Sequence, residues 1–287
     1  MPVLIIVLVL ISTFLHATWN FLIKKSEHPY EYVQLLALTS GAISLPLAII
    51  FLFTDEFTIL GVALSILSGI IHVFYFYFLG TAYRKADLSF VYPIARGTAV
   101  ALVPIFGLFI IGESVSNLSL FGIFIVFLGI LSLGNITHMK SINLNDFILS
   151  LITGVTVTSY TIVDKYAVSL VNPFFVFSIS SFIGGFLSIT LIDKRINHFY
   201  IVAKNNIKTV ILISVLSATA YTLVLYAYKY SDVSSEFFLT TMSPIRCRGI
   251  TINLINWIDH RRTYYNYCHR QDRYWNLLHL GFIGIDV

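Results

Sequence analysis

With 287 residues, 57% hydrophobic and only 11% charged, the chain is far from the roughly 25% charged composition of a soluble domain. Its net charge of +4 suits loops facing lipid headgroups and gives no sign of a nucleic-acid partner. Both cysteines, Cys247 and Cys268, lie near the end, so the segment before them has neither a disulfide framework nor a cysteine metal site.

A bilayer core about 30 Å thick is crossed by about 20 consecutive apolar residues. Such runs fall at 3–23, 32–53, 58–80, 88–111, 118–136, 147–163, 174–192 and 207–228. A ninth begins at Val233 and reaches only Ile245. Ten-residue alternating segments, the mark of a membrane β-barrel, do not occur. The first run lacks a basic start and a small-residue cleavage site, which makes it a first span rather than a signal peptide. The pattern predicts an all-α polytopic membrane protein.

In span one, His16, Asn20 and Lys24 recur every fourth residue on one helix face, with Trp19 beside them. Polar groups facing lipid are penalised, so this stripe is expected to face the bundle interior. It either binds the polar end of a substrate, or His16 and Asn20 hold neighbouring helices while Lys24 reaches for the interface. Tyr75 in span three and Tyr221 in span eight lie deep enough to line a cavity, whereas Tyr77, Tyr226 and Tyr228 read as packing or interfacial aromatics.

In span four, Arg96 lies eight residues after Leu88, about 12 Å deep at about 1.5 Å per residue. Tyr92 shares its face one turn earlier, and Pro93 loosens the backbone between them. An arginine at that depth costs about 2.5 kcal/mol or more unless it faces a cavity and has a partner. That makes it a substrate or gating candidate, the alternative being an arginine held by neighbouring carbonyls. Glu113 follows Gly112 at the span's end, where a carboxylate caps a helix start or couples transport to protons. Span six repeats the polar stripe with Tyr160 and Asp164, followed by Lys165; the last two could instead form an interfacial pair. Span seven carries Ser181, Gly184, Gly185 and Ser188, a small-xxx-small packing surface.

The octapeptide Ala82-Tyr-Arg-Lys-Ala-Asp-Leu-Ser89 returns as Ala227-Tyr-Lys-Tyr-Ser-Asp-Val-Ser234. The chain therefore holds two homologous halves. Five spans precede the connector, and five is odd, so the second copy crosses the membrane in the opposite sense as an inverted-topology repeat. The halves align Lys25 with Lys165, Phe76 with Tyr221 and Asp87 with Asp232. The expected organisation is a first repeat at 1–136, a connector at 137–146, an incomplete second repeat at 147–245 and a separate tail at 246–287. Lysines and arginines concentrate in the odd connectors, which places those in the cytoplasm and the N-terminus outside.

The tail holds six of the nine arginines and none of the nine lysines. Its longest uncharged stretches, 249–258 and 274–285, are too short to span a bilayer. A reading-frame shift near codon 246 explains the altered composition, the sudden cysteines and the missing span together; the alternative is a native interaction tail. Under the frameshift reading, the chain as written lacks its last helices and is poorly stable or inactive.

Four features resemble the EamA branch of the drug/metabolite transporter superfamily. They are His16-Ala-Thr-Trp19-Asn20 before Lys24-Lys25, Ala82-Tyr83-Arg84-Lys85-Ala86-Asp87, Tyr92-Pro93-Ile94, and Gly112-Glu113 leading to Leu120-Phe121-Gly122. The likeness covers about 1–245 and carries no substrate information. It implies ten helices in two inverted sets of five around a central cavity, exporters or importers of small metabolites, and both termini in the cytoplasm, against the charge count. The chain departs in lacking a second Gly-Glu, whose place falls at Ile258.

The resulting expectation is a secondary transporter of a small organic metabolite in the cell membrane, with a substrate and the lipid bilayer as partners and no cofactor or metal. No H-E-x-x-H, G-x-S-x-G, paired intramembrane aspartates or His/Asp metal pattern supports an enzyme. A receptor or scaffold is the remaining alternative, and neither needs inverted halves.

Overall fold

In lipid the polar N–H and C=O groups of the backbone have no hydrogen-bond partners but one another, so long apolar runs become helices. The computed structural model describes residues 3–54, 57–86, 88–112, 121–122, 124–125, 128 and 144–231. Its helices are α1 (Val3–Lys25), α2 (Pro29–Thr54), α3 (Ile59–Lys85), α4 (Leu88–Phe106, continued by a π turn, Gly107–Ile111), α5 (Leu144–Leu170), α6 (Pro173–Leu187, continued by a π turn, Ser188–Asp193), α7 (Ile196–Asn205) and α8 (Ile207–Tyr230). Among the described residues, seven helices are long and apolar enough to cross a membrane, all but α7. Positions 121–122, 124–125 and 128 are helical and belong to the fifth predicted run. The remainder of that run, the ninth run and the 246–287 tail lie outside the described residues.

Local chemistry sets the helix ends. Thr58 Oγ1 accepts from the Gly61 N–H at 3.1 Å to start α3, and Asn172 Oδ1 accepts from Phe174 N–H at 2.9 Å, with Pro173 opening α6. At the end of α4, Gly112 takes φ 78° and returns its N–H to Gly107 O. That left-handed turn suits glycine. Lys194 closes the π turn of α6 in the same way at φ 61°.

Several boundaries differ from the sequence reading, most of all α5, which runs Leu144–Leu170 where 147–163 was expected and so takes Asp164 and Lys165 into the helix. α2 begins at Pro29 rather than 32, because proline is pre-set for a first helical turn. α3 continues past 80 to Lys85, so Arg84 and Lys85 sit in its last turn, where cations meet the negative helix end. The connector after α6 contains α7, which buries Phe199 and Val202 and exposes Ile196 and Tyr200. At ten residues it is too short to register as an apolar run, and it has the character of an interfacial helix.

A two-fold repeat is visible in the packing. Exchanging α1 with α5, α2 with α6 and α3 with α8 turns the α3–α5 contact into α8–α1, α3–α6 into α8–α2, and α2–α3 into α6–α8, all of which are formed. The central α2–α6 crossing maps onto itself. There a Cβ on Gly41 would lie 2.3 Å from Phe182 N, and a Cβ on Gly185 would lie 2.2 Å from Leu38 N. Gly41 and Gly185, like Leu38 and Phe182, are the same distance apart in sequence, so each half presents its glycine to the other's backbone. This is small-residue packing of the membrane kind.

Large apolar side chains such as Leu4, Leu10, Ile43, Leu47, Ile66, Ile70, Ile211 and Leu212 are exposed on the outer faces of the spans. In water such a surface would aggregate; against lipid tails it is the expected coat.

Candidate functional site

Each half ties its first helix to the end of its third by the same device. Lys24 Nζ donates to Tyr83 O and Ala86 O, both at 2.8 Å, at the C-terminus of α3. Lys165 Nζ donates to Tyr228 O and Ser231 O, both at 2.6 Å, at the C-terminus of α8. The last carbonyls of a helix have no intrahelical partner and carry the negative end of its dipole, so an ammonium satisfies both needs. The duplicated octapeptide is the receptor for this lysine. These bonds make Lys24, not Lys25, the counterpart of Lys165, a one-residue correction to the alignment read from sequence.

Beside each lysine sits a buried tyrosine–polar pair. Tyr83 OH donates to Asn20 Oδ1, and Asn20 Nδ2 donates to His16 O at 2.7 Å. Tyr221 OH donates to Asp164 Oδ2. Asp164 is fully buried, and its other carboxylate oxygen has no hydrogen-bond partner among the described residues. Asp164 and Lys165 therefore serve different partners and do not form the alternative interfacial pair.

Between the halves lies a cavity of about 50 Å³, room for a few waters where one needs roughly 10–15 Å³. Of the residues singled out from sequence, His16, Trp19, Tyr75, Tyr92, Arg96, Tyr160 and Tyr221 line it, as do Ser181 and Tyr228, which the sequence had marked for packing. Asn20, Lys24 and Asp164 stand behind this wall in the hydrogen bonds just described. Glu113 lies outside the described residues. The Arg96 guanidinium carbon is 5.5 Å from the centre of the Tyr92 ring, within cation–π range, as one helical turn on one face allows. The indole N–H of Trp19 and the hydroxyl of Thr161 are buried at the same cavity without a partner among the described residues.

His72 was missed in the sequence. Its ring stacks on Tyr160 with centroids 4.1 Å apart and 25° between planes, and it lines the cavity. Its Nδ1 lies 2.9 Å from Ser68 O, just as His16 Nδ1 lies 3.0 Å from Ser12 O. The available signal was Ser-x-x-x-His, present at 12–16 and again at 68–72. Among the described residues no chemistry-bearing triad faces the cavity; what it offers is aromatic walls with a guanidinium, an indole N–H and hydroxyls.

A bundle of membrane-length helices in two interlocked halves, enclosing a cavity lined by polar groups, defines a polytopic membrane protein of the transporter class. The chain belongs to the EamA-like transporter family, which matches residues 3–134 and 146–246. No curated protein sequence matches it. Solved structures are similar: one, a crystal structure of a protein 14% identical in sequence, superposes with a TM-score of 0.62 over 92% of this chain and 91% of that one. At that identity the likeness shows the fold alone.

Proposed function

We propose that this chain is a secondary transporter of a small organic metabolite in the plasma membrane, working by alternating access, with the cavity between the halves as its substrate site. The observation that carries the reading is the convergence of donors on that cavity. Arg96 lines it beside the Trp19 indole N–H and the Thr161 hydroxyl, the last two buried without a partner among the described residues, in a setting where polar groups are costly unless paired or used. A donor-rich floor within aromatic walls suits a small molecule with an anionic or strongly accepting group and an apolar body. The site is too tight for such a molecule as it stands, so the aromatic side chains and the halves must move to admit it. Interlocked inverted halves are suited to that rocking. The 246–287 segment is a frameshift product in this reading, and the described residues that line the site all precede it.

Flux of small organic anions in proteoliposomes tests the proposal. Arg96→Lys keeps the charge but loses the planar fork, so uptake of the transported anion is expected to fall while the protein remains folded. Unaltered flux in both Arg96→Lys and Arg96→Ala would remove Arg96 from the substrate site. Binding of an anion without any translocation would favour a receptor instead.

A further inference from the structure

A second constellation lies away from the cavity, where the start of α2 meets α7. His28, from the turn before α2, Glu31, from its first turn, and His198, from the first turn of α7, place one ligand atom each within 4.8 Å of one another. His198 Nε2 lies 3.2 Å from Glu31 Oε1. The two imidazoles are edge-on to each other, with centroids 6.0 Å apart and 90° between planes. Glu31 is buried, while both histidines are partly exposed, so the carboxylate forms the floor and the rings form a rim open to solvent.

We propose that this cluster is a site for a transition-metal ion of the Zn²⁺ class, clamping the first half to the second. Two imidazoles and a carboxylate are the donor set such ions prefer. Bond lengths of about 2.0–2.2 Å put the ligand atoms of a tetrahedral ion about 3.3 Å apart. The ligand atoms now lie within 4.8 Å of one another, so binding calls for the side chains to draw inward. A solvent molecule completes the coordination through the open rim.

The opposing charge is Arg195, whose Nη2 lies 3.7 Å from Glu31 Oε1. Its guanidinium is held in two-point contact by Asp193, through Nε at 2.5 Å and Nη2 at 2.9 Å. Arg195 donates to both Asp193 oxygens at much shorter range than it reaches Glu31, so its charge is met first by its own neighbour. Because His28 and Glu31 belong to the first half and His198 to the second, a bound ion bridges the halves at one end of the bundle. It is therefore expected to stabilise this conformation over the other.

The test uses the full chain purified in detergent, with Co²⁺ as a spectroscopic probe and Zn²⁺ as its competitor. A single tight site is expected, with a nitrogen–oxygen ligand spectrum and Zn²⁺ raising the thermal unfolding temperature. His198→Ala and His28→Ala, both at partly exposed positions, should each weaken binding about tenfold or more and abolish the thermal shift. Glu31→Gln should do the same while keeping the side chain's shape. The tail offers competing ligands in Cys247, Cys268, His260, His269 and His279. A thiolate charge-transfer band would point to them, and binding that survives the His28→Ala/His198→Ala double variant would overturn the assignment. So would no Co²⁺ or Zn²⁺ binding at all.

Discussion

Lys24 and Lys165 show how one side-chain type can mislead and inform at once. Both were visible as cations near the ends of apolar runs, and a cation beside a polar stripe invites a substrate reading. The folded chain commits both ammonium groups to helix-end carbonyls. Hydrogen bonds to charged groups are worth about 1.5–3 kcal/mol each, and removing the lysine leaves two carbonyls unsatisfied. Lys24→Met and Lys165→Met are therefore each expected to lower thermal stability in detergent clearly, by similar amounts because the sites are equivalent. Unchanged unfolding temperatures in both would show that water replaces the ammonium at no cost. Arg96 and Tyr92 were legible because their depth and spacing follow from helix geometry alone. Lys24's true partners were not, since Tyr83 O and Ala86 O are backbone atoms 59 and 62 residues away and have no side-chain signature. His72 escaped notice because, in a sequence, a histidine amid aromatics reads as packing.

At the scale of elements, the spans were legible because lipid imposes one length and one composition. Their ends were not, because proline, asparagine and glycine caps act over single turns. α7 was hidden for a related reason: a ten-residue amphipathic helix is neither long nor uniformly apolar. The small-residue surface on the seventh run was readable, but its partner was not. Only the fold sets Gly185 against Leu38 and Gly41 against Phe182. A methyl group at either glycine meets backbone, which cannot swing aside as a flexible side chain would. Gly41→Ala and Gly185→Ala should each destabilise by about 1–3 kcal/mol, the usual cost of overpacking. The double variant should cost less than the sum, since both changes push apart the same crossing. Denaturation curves on the three variants decide this; wild-type stability in both single variants would mean the helices are free to separate.

For the whole molecule, the duplication is the deepest information in the sequence. It appears as one octapeptide written twice, and in three dimensions as contacts that exchange when the halves are exchanged. The same repeat makes the region after Ile245 anomalous, since the first half continues from the equivalent point into a Gly-Glu turn and another run. An alternate reading frame beyond codon 245 is expected to encode an apolar run, a Gly-Glu-like turn and a further span. Re-sequencing that stretch and translating all frames checks it. If no frame contains an uncharged stretch near 20 residues, the tail is native.

Alternate opening of the cavity between the halves to the two sides of the membrane can be tested before any substrate is known. With Cys247 and Cys268 replaced by serine, the chain has no other cysteine, and Ser217→Cys places a single thiol at the cavity. A membrane-impermeant maleimide applied separately to each face of sealed vesicles should label that thiol from both faces. Exclusive labelling from one face, unchanged over time and temperature, would contradict alternating access and leave a fixed binding pocket.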